Sequence, residues 1–550
     1  MSGLLFLAAL VALLALGPRL FVVVGVSTAL CFLLFTDYTD AVIQLDRIVT
    51  KMESLTTKNV FLSIPFFISA GSIMTRGGIA KRLTDFAGAL VGWLPGGLAV
   101  ASIVACIVFA AISGSSPVTL VAVGAVMYPA LLKNGYPSRF SVGLITSAGS
   151  LGCMIPPAIT MLIYSICVDS SDAKVNPSDL FFAGLMPALL IAGMLAVYAV
   201  WVGMSVPGSR KPFDGAALWS SFKAASWSLT LPAIVLGGIY GGVFTPTEAG
   251  AVAFAAALLI SCSVHGDVPW SKVPSILVEA ATLIGSLVLI VVLAFGLNDF
   301  LAEVEAPEVI RSWVQGANLS AFEFMLVVNV ILIVLGALMD SISATLVFAP
   351  ILAPVAINHY GIDPIHFGVV FVVNMEIGYI APPVATNLFV ASAIFRQPFG
   401  EVARAILPTL GIICGALVVL MYLPVFSTGP LNLRNGEAIY ESFPWDGKKE
   451  EVVTPEAAPP TEPGRVLTMQ EMMEKAKQDA AAPAEPGRVL TMQEMMEQAK
   501  KNAAQEAAPA APAEPGRVLT MQEMMEQAKK NAAEQQQTAP PAEQPAQPQQ

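Results

Sequence analysis

A helix-breaking segment occurs twice in this chain, each time inside an apolar stretch long enough to cross a bilayer. One copy reads Gly152-Cys153-Met154-Ile155-Pro156-Pro157-Ala158-Ile159-Thr160, the other Gly378-Tyr379-Ile380-Ala381-Pro382-Pro383-Val384-Ala385-Thr386. They stand 226 residues apart (378 minus 152), and the same offset carries Ser115 onto Ser341, Thr119-Leu120-Val121 onto Thr345-Leu346-Val347 and Gly135 onto Gly361. Proline lacks the N–H that a helix interior needs, so each copy interrupts its helix at membrane depth. Broken helices in corresponding positions of two halves point to the binding site of a secondary transporter.

A membrane protein is what the composition requires. Of 550 residues 55% are hydrophobic and only 13% are charged, with a mean hydropathy of +0.70; soluble domains carry about 25% charge. The first 35 residues lack a basic leader and read as two helices rather than a signal peptide. The six cysteines lie in apolar segments without a Cys-x-x-Cys pair, and the three histidines lack metal-ligand spacing. Nothing in the pattern suggests nucleophilic catalysis, a nucleotide-binding loop or nucleic-acid contact, so the chain does not read as an enzyme.

Apolar runs place spans near 3–17, 20–36, 59–75, 140–168, 179–205, 226–245, 249–264, 280–298, 366–395 and 405–427. Segments 97–132 and 321–356 are too long for one crossing and carry central polar breaks, at Ser113-Gly114-Ser115-Ser116 and Asp340-Ser341-Ile342-Ser343. Both read as re-entrant helical hairpins; the alternative is a pair of ordinary spans joined by a short polar loop. Arg76, Lys81, Arg82, Lys133 and Arg139 flank the first hairpin and Asp299, Glu303, Glu305 and Glu308 precede the second. Basic flanks are cytoplasmic, so the hairpins enter from opposite faces and the halves are inverted. The fold class predicted is an all-α polytopic membrane protein. Repeat 1 covers about 20–168 and repeat 2 about 249–395. Segments 37–58 and 265–277 read as interfacial arms, and whether 76–96 crosses is left open.

Beyond residue 427 the composition turns to Pro, Ala, Glu and Gln, so the chain divides into a membrane domain, 1–427, and a tail, 428–550. The tail holds three near-copies of Glu-Pro-Gly-Arg-Val-Leu-Thr-Met-Gln-Glu-Met-Met-Glu, within about 462–480, 485–503 and 514–532. Each is one short amphipathic helix at most, marginal alone. Three copies on flexible spacers suit multivalent binding of a partner that the sequence does not identify; a disordered tail without a specific role is the alternative. Ten crossings and two hairpins from an outward N-terminus put the tail in the periplasm.

Backbone carbonyls freed at a helix break are hard oxygen donors suited to an alkali cation. Ser113, Ser115 and Ser116 can join the carbonyls of Gly152, Ile155 and Pro157 around one ion. Ser341 and Ser343 can join those of Gly378, Ala381 and Pro383, with Thr386, around another. Close packing of small residues is the competing explanation for these serines and glycines. Asp340 and Glu376 are carboxyl groups at membrane depth, where such groups are functional candidates by default. Asp340 has no counterpart, because Gly114 stands at the equivalent position. That asymmetry suits substrate or coupling work.

Four strings carry a family resemblance: 112–119 (ISGSSPVT), 152–157 (GCMIPP), 244–249 (FTPTEA) and 374–392 (NMEIGYIAPPVATNLFVAS). Residues 1–427 resemble the large membrane (M) subunit of the tripartite ATP-independent periplasmic (TRAP) transporters, members of the ion-transporter superfamily. The resemblance implies an elevator-type, sodium-coupled symporter in the bacterial inner membrane. It implies import of a small organic acid such as a dicarboxylate, delivered by a periplasmic binding protein, with a small four-helix membrane subunit expected as a separate chain. No organic cofactor is implied. It also implies a first sodium site at Ser113, Ser115, Gly152, Ile155 and Pro157, and a second at Ser341, Gly378, Ala381 and Pro383. The substrate-side set is Ser115, Thr160 and Asp340, with Thr386 counted among them. Ala381 and Ala385 stand where Thr and Gly are common in that family, which removes a hydroxyl from the second site. Two other functions stay open: a stand-alone sodium/anion symporter of the same superfamily, and a membrane-anchored interaction protein acting through its tail.

Overall fold

The computed structural model describes residues 20–35, 59–168, 175–207, 212–303, 319–382 and 385–436, with a few isolated positions beside them. The span at 3–17, the arm at 37–58, Pro383 and the repeated tail lie outside the described residues. Everything described belongs to the first of two units, Met1–Val452, and all of it is helix, turn or loop.

The helices are α1 (Leu20–Phe35), α2 (Ser63–Arg76), α3 (Ile79–Val91), α4 (Gly97–Ser113), α5 (Ser116–Lys133), α6 (Ser138–Ser150), α7 (Ile159–Cys167), α8 (Pro177–Gly203) and α9 (Gly215–Tyr240). They continue as α10 (Pro246–Leu259), α11 (Val273–Glu303), α12 (Ala321–Leu338), α13 (Ser341–Pro354), α14 (Pro364–Ile380), α15 (Thr386–Phe395), α16 (Phe399–Tyr422) and α17 (Gly429–Asn435). Among the described residues seven helical stretches are long and apolar enough to cross a membrane.

Local chemistry sets the boundaries. The Phe-Thr-Pro-Thr-Glu-Ala string is a capping box: Thr245 Oγ1 accepts the Glu248 N–H at 3.3 Å, Glu248 accepts the Thr245 N–H at 2.8 Å, and Pro246 begins α10. Ser320 and Glu323 repeat the device at α12. Asp363 caps α14 by accepting the N–H groups of Ile365 and His366 at 2.9 and 2.7 Å. Gly135 and Gly361, equivalent at the 226-residue offset, both turn the chain with positive φ, 82° and 64°, a conformation that favours glycine.

Both long segments split where polar residues interrupt them: α4 and α5 part at Gly114-Ser115, α12 and α13 at Met339-Asp340. The Pro-Pro spans split too, into α6 and α7, and α14 and α15. Helix starts follow the 226-residue offset: Ser138 and Pro364, and, within one residue, Ser116 and Ser341. Helix α3, of 13 residues, rises about 20 Å, too short to cross a bilayer of about 30 Å.

The arm expected at 265–277 is corrected. Its later part, from Trp270, enters a 3-10 turn and then the 31-residue α11, and the stretch 270–293 qualifies as a span. Val273-Pro274 opens that helix where a missing N–H costs nothing, and no break follows. Only the bend at 265–269 stays outside a helix. Asp267 there accepts hydrogen bonds from Arg82 at 2.5 and 3.2 Å and from the Gly78 N–H at 2.9 Å. The Arg82 hydrogen bond holds the Asp267 carboxyl below its usual range. A depressed folded-state value stabilises above the ordinary Asp value of about 4 and is lost as pH falls through the folded value. Asp267→Asn is therefore expected to lower thermal stability at neutral pH, and melting curves recorded at falling pH should show the gap to wild type closing in acid.

At the centre lies α14, buried on all sides from His366 to Ile380, with His366, Asn374 and Glu376 the polar residues among its apolar ones. It packs against α6, α7, α8, α12, α13 and α16. Outside this centre α1 packs on α11 and α2 on α10, so each half contributes a helix to the other.

Candidate ion and substrate site

The first hairpin tip and the first break touch backbone to backbone. Gly114 turns with φ 59° after α4, and its carbonyl accepts the Ile159 N–H, the start of α7, at 3.3 Å. A Cβ on Gly114 would stand 2.2 Å from the Pro157 carbonyl oxygen, and one on Gly152 would stand 2.9 Å from the Ser115 carbonyl carbon and the Ser116 nitrogen. No side chain fits at either position. The structure therefore brings Ser113, Ser115, Gly152 and Pro157 together, with Ile155 buried in the same break. Ser113 Oγ lies 2.8 Å from Thr119 Oγ1, whose hydroxyl is 2.9 Å from the Ser115 carbonyl. Ser115 is half-buried and extended, and makes no side-chain cap to α5.

The second break is built differently. Gly378 packs against Gly336, where a Cβ would stand 2.5 Å from the Gly336 backbone, and the Ala385 N–H donates to the Ala337 carbonyl at 3.2 Å. The break thus seats on the last turn of α12 rather than on the serine-bearing tip. Ser341 Oγ lies 3.3 Å from Thr160 Oγ1 of the first half, with Tyr379 also beside it. Ser343, read from sequence as a second-site ligand, donates its hydroxyl to Asp340 Oδ1 at 2.7 Å and its N–H to Asp340 Oδ2 at 3.0 Å, because Asp340 caps α13. Ala381 is buried and donates its N–H to the Ile377 carbonyl at 2.8 Å. Thr386 is exposed at the start of α15, while Thr160 and Ser341 are buried.

Sequence reasoning missed Asn387. It is fully buried, its Nδ2 donates to Ser116 Oγ at 2.5 Å, and its Oδ1 has no hydrogen-bond partner. An amide one residue past the Thr of a Pro-Pro break was the available signal. Cys153 also belongs to the cluster, beside Ser116 and Thr160. Each tip is tied by side chains to the other half: Ser116 to Asn387 on α15, Ser341 to Thr160 on α7. A cavity of about 480 Å³ lies elsewhere, between α3, the far ends of the first hairpin and the start of α9, with Asp85, Tyr136 and Asp214 in its wall.

The sequence profile described as "Tripartite ATP-independent periplasmic transporter, DctM component" matches residues 7–426. The chain belongs to the TRAP transporter large-permease family. A C4-dicarboxylate TRAP transporter large permease protein of Rhodobacter capsulatus is 38% identical over 447 residues, 79% of this chain and 99% of that protein. Its Pseudomonas aeruginosa namesake is 41% identical over 404 residues, 73% and 92% of the two chains. A 2,3-diketo-L-gulonate TRAP large permease of Escherichia coli is 32% identical over 439 residues, 79% and 100%. Among solved structures the YdaH transporter of Alcanivorax borkumensis superposes with a TM-score of 0.52 at 14% identity, over 76% of this chain and 98% of that one, a likeness of fold alone. As a TRAP large permease the chain is a multi-pass transporter subunit and not an enzyme.

Asp340→Asn separates charge from capping at the second tip, since Asn caps a helix as well as Asp does. This variant and Ser115→Ala are each expected to bring uptake to background with the protein still inserted, as read by transport into vesicles beside membrane-fraction blots. Wild-type rates in both would remove the tips from the binding cavity.

Proposed function

We propose that this TRAP large permease is the sodium-coupled subunit that carries a C4-dicarboxylate or a related organic acid across the bacterial inner membrane. The observation that carries the reading is the pair of broken helices at one offset, each glycine seated on backbone of its own hairpin and each tip tied to the opposite half. That exchange is what two inverted repeats around an in-plane axis would produce. Freed carbonyls and buried hydroxyls are donors suited to sodium. Tips and breaks would move together as the mobile body of an elevator, against a scaffold formed by α1, α2, α10 and α11. The cavity by α3 falls between the first hairpin and helices outside that body, as a water-filled gap on one side of the membrane would.

The carboxylate class follows the relatives of highest identity quoted above, both named for C4-dicarboxylates. By family, a periplasmic binding protein delivers the substrate and a small membrane subunit completes the permease. The test is reconstitution of all three proteins in vesicles with a labelled C4-dicarboxylate, 2,3-diketo-L-gulonate as competitor, and the binding protein present or omitted. Uptake that needs the binding protein supports the reading; equal uptake without it favours a stand-alone symporter.

The tail repeats are proposed to bind a partner through helices formed on contact, since Val466, Met469, Met473 and Ala476 recur at helical spacing. A chain ending near residue 440 is expected to keep uptake, while a three-copy tail should capture protein from membrane fractions far better than a one-copy tail. Loss of uptake on truncation together with capture would favour the interaction-protein reading.

A further inference from the structure

The two hairpin tips stand at equivalent positions but are held differently. In the first half the Ile159 N–H, at the start of the helix after the break, donates at 3.3 Å to the Gly114 carbonyl, on the tip itself. The equivalent N–H in the second half belongs to Ala385. It donates at 3.2 Å to Ala337, three residues before Asp340, the counterpart of Gly114. The glycines repeat the shift: Gly152 seats on Ser115 and Ser116, Gly378 on Gly336. Three residues advance about 4.5 Å even as helix, so the second tip projects almost one turn past the seat of its break.

Side chains widen the difference. Asn387 and Ser116 are buried, and the amide Nδ2 donates to the serine hydroxyl at 2.5 Å. Their equivalents are Met161 and Ile342, which cannot form such a bond. Met161 packs on α8 instead, where a Cβ on Gly184 would stand 2.1 Å from its methyl carbon. Ser113 Oγ also lies 2.8 Å from Thr119 Oγ1, and Met339 stands at the position equivalent to Ser113. At the second tip Ser341 Oγ has Tyr379 beside it and lies 3.3 Å from Thr160 Oγ1, beyond the usual hydroxyl range of about 2.5–3.0 Å. The Asp340 carboxylate turns back to cap its own helix.

We propose that the first tip is a fixed wall of the binding site, clamped by Asn387 as a positioning residue, and that the second tip, 339–343, is the gate that opens and closes over the substrate. What passes the gate rests on the transport reading above; the inequality of the tips does not.

Amide hydrogen exchange reports such local opening directly. Two peptides of the purified full chain at one offset, 112–119 and 338–345, are compared by mass spectrometry. Without added sodium or dicarboxylate, 338–345 is expected to exchange about tenfold faster or more. Asn387→Ala and Ser116→Ala, which break the clamp from its two sides, should each speed exchange in 112–119 by a similar factor and leave 338–345 unchanged. Sodium chloride with succinate should then slow 338–345 and leave wild-type 112–119 as it was. Equal exchange of the two peptides in the wild type overturns the proposal. So does acceleration of both peptides, or of neither, in the two variants, since a general loss of stability would not select one tip. Vesicles that take up succinate while 338–345 stays unprotected also overturn it, whereas vesicles that take up no dicarboxylate with sodium strike the transport reading and leave the two-tip comparison to decide.

Discussion

Replacing sodium by choline in the external medium is expected to bring uptake by the reconstituted system to background. Hydroxyls and backbone carbonyls gather at the first break, around Ser113, Ser115, Gly152 and Pro157, and at the second tip Ser341 lies beside Thr160 and Tyr379. Hard neutral oxygens of that kind replace the hydration shell of an alkali ion, and the cost of entering without one is that of unsatisfied backbone in a membrane. On the proposed reading, with one ion at each break, the dependence on sodium should be sigmoidal. Uptake that continues at full rate on a proton gradient alone would remove sodium from the mechanism.

The second large effect is expected from a single methyl group. Gly152→Ala places a Cβ 2.9 Å from backbone atoms of Ser115 and Ser116, and Gly378→Ala places one 2.5 Å from backbone of Gly336. Backbone cannot swing aside as a side chain can, so either break must lift off the helix beneath it, at a cost of about 1–3 kcal/mol of overpacking. Uptake should fall about tenfold or more in each variant. Gly193→Ala is the control: a Cβ there meets nothing within 4 Å, and transport should be unchanged. Rates normalised to the amount of protein in the membrane decide the comparison, and full activity in Gly152→Ala would mean that the tip is not held by this contact.

Much of the architecture could be read from residue order. Proline pairs, the polar tips and the 226-residue offset placed the splits in both long segments and in both Pro-Pro spans, since each depends on local backbone chemistry. The arm at 265–277 was misjudged because its charged residues suggested an interface, while from Trp270 onward no residue stops a helix. The capping role of Asp340 was written in Asp-Ser-Ile-Ser, a helix-start pattern, and stands beside the role read from its membrane depth. Asn387 carried a local signal beside its Pro-Pro break, but its pairing with Ser116, like that of Ser150 with Glu376, was not legible. Their meaning lies in contacts between residues 271 and 226 positions apart, which no local pattern encodes.

The crossing of α1 with α11 and of α2 with α10 has a consequence for how the protein is made. Helix α2 ends at Arg76 and its partner begins at Pro246, so a ribosome adding about 5–20 residues per second leaves α2 waiting on the order of ten seconds. During that interval the face that will receive Gly250 against Phe66 and Phe67 is covered by lipid or by the insertion machinery. Final assembly is therefore a rearrangement of helices already in the membrane, and not a sequential threading. Two fragments divided in the loop between α8 and α9, expressed together, hold every helix that this rearrangement needs, while either fragment alone lacks its partners.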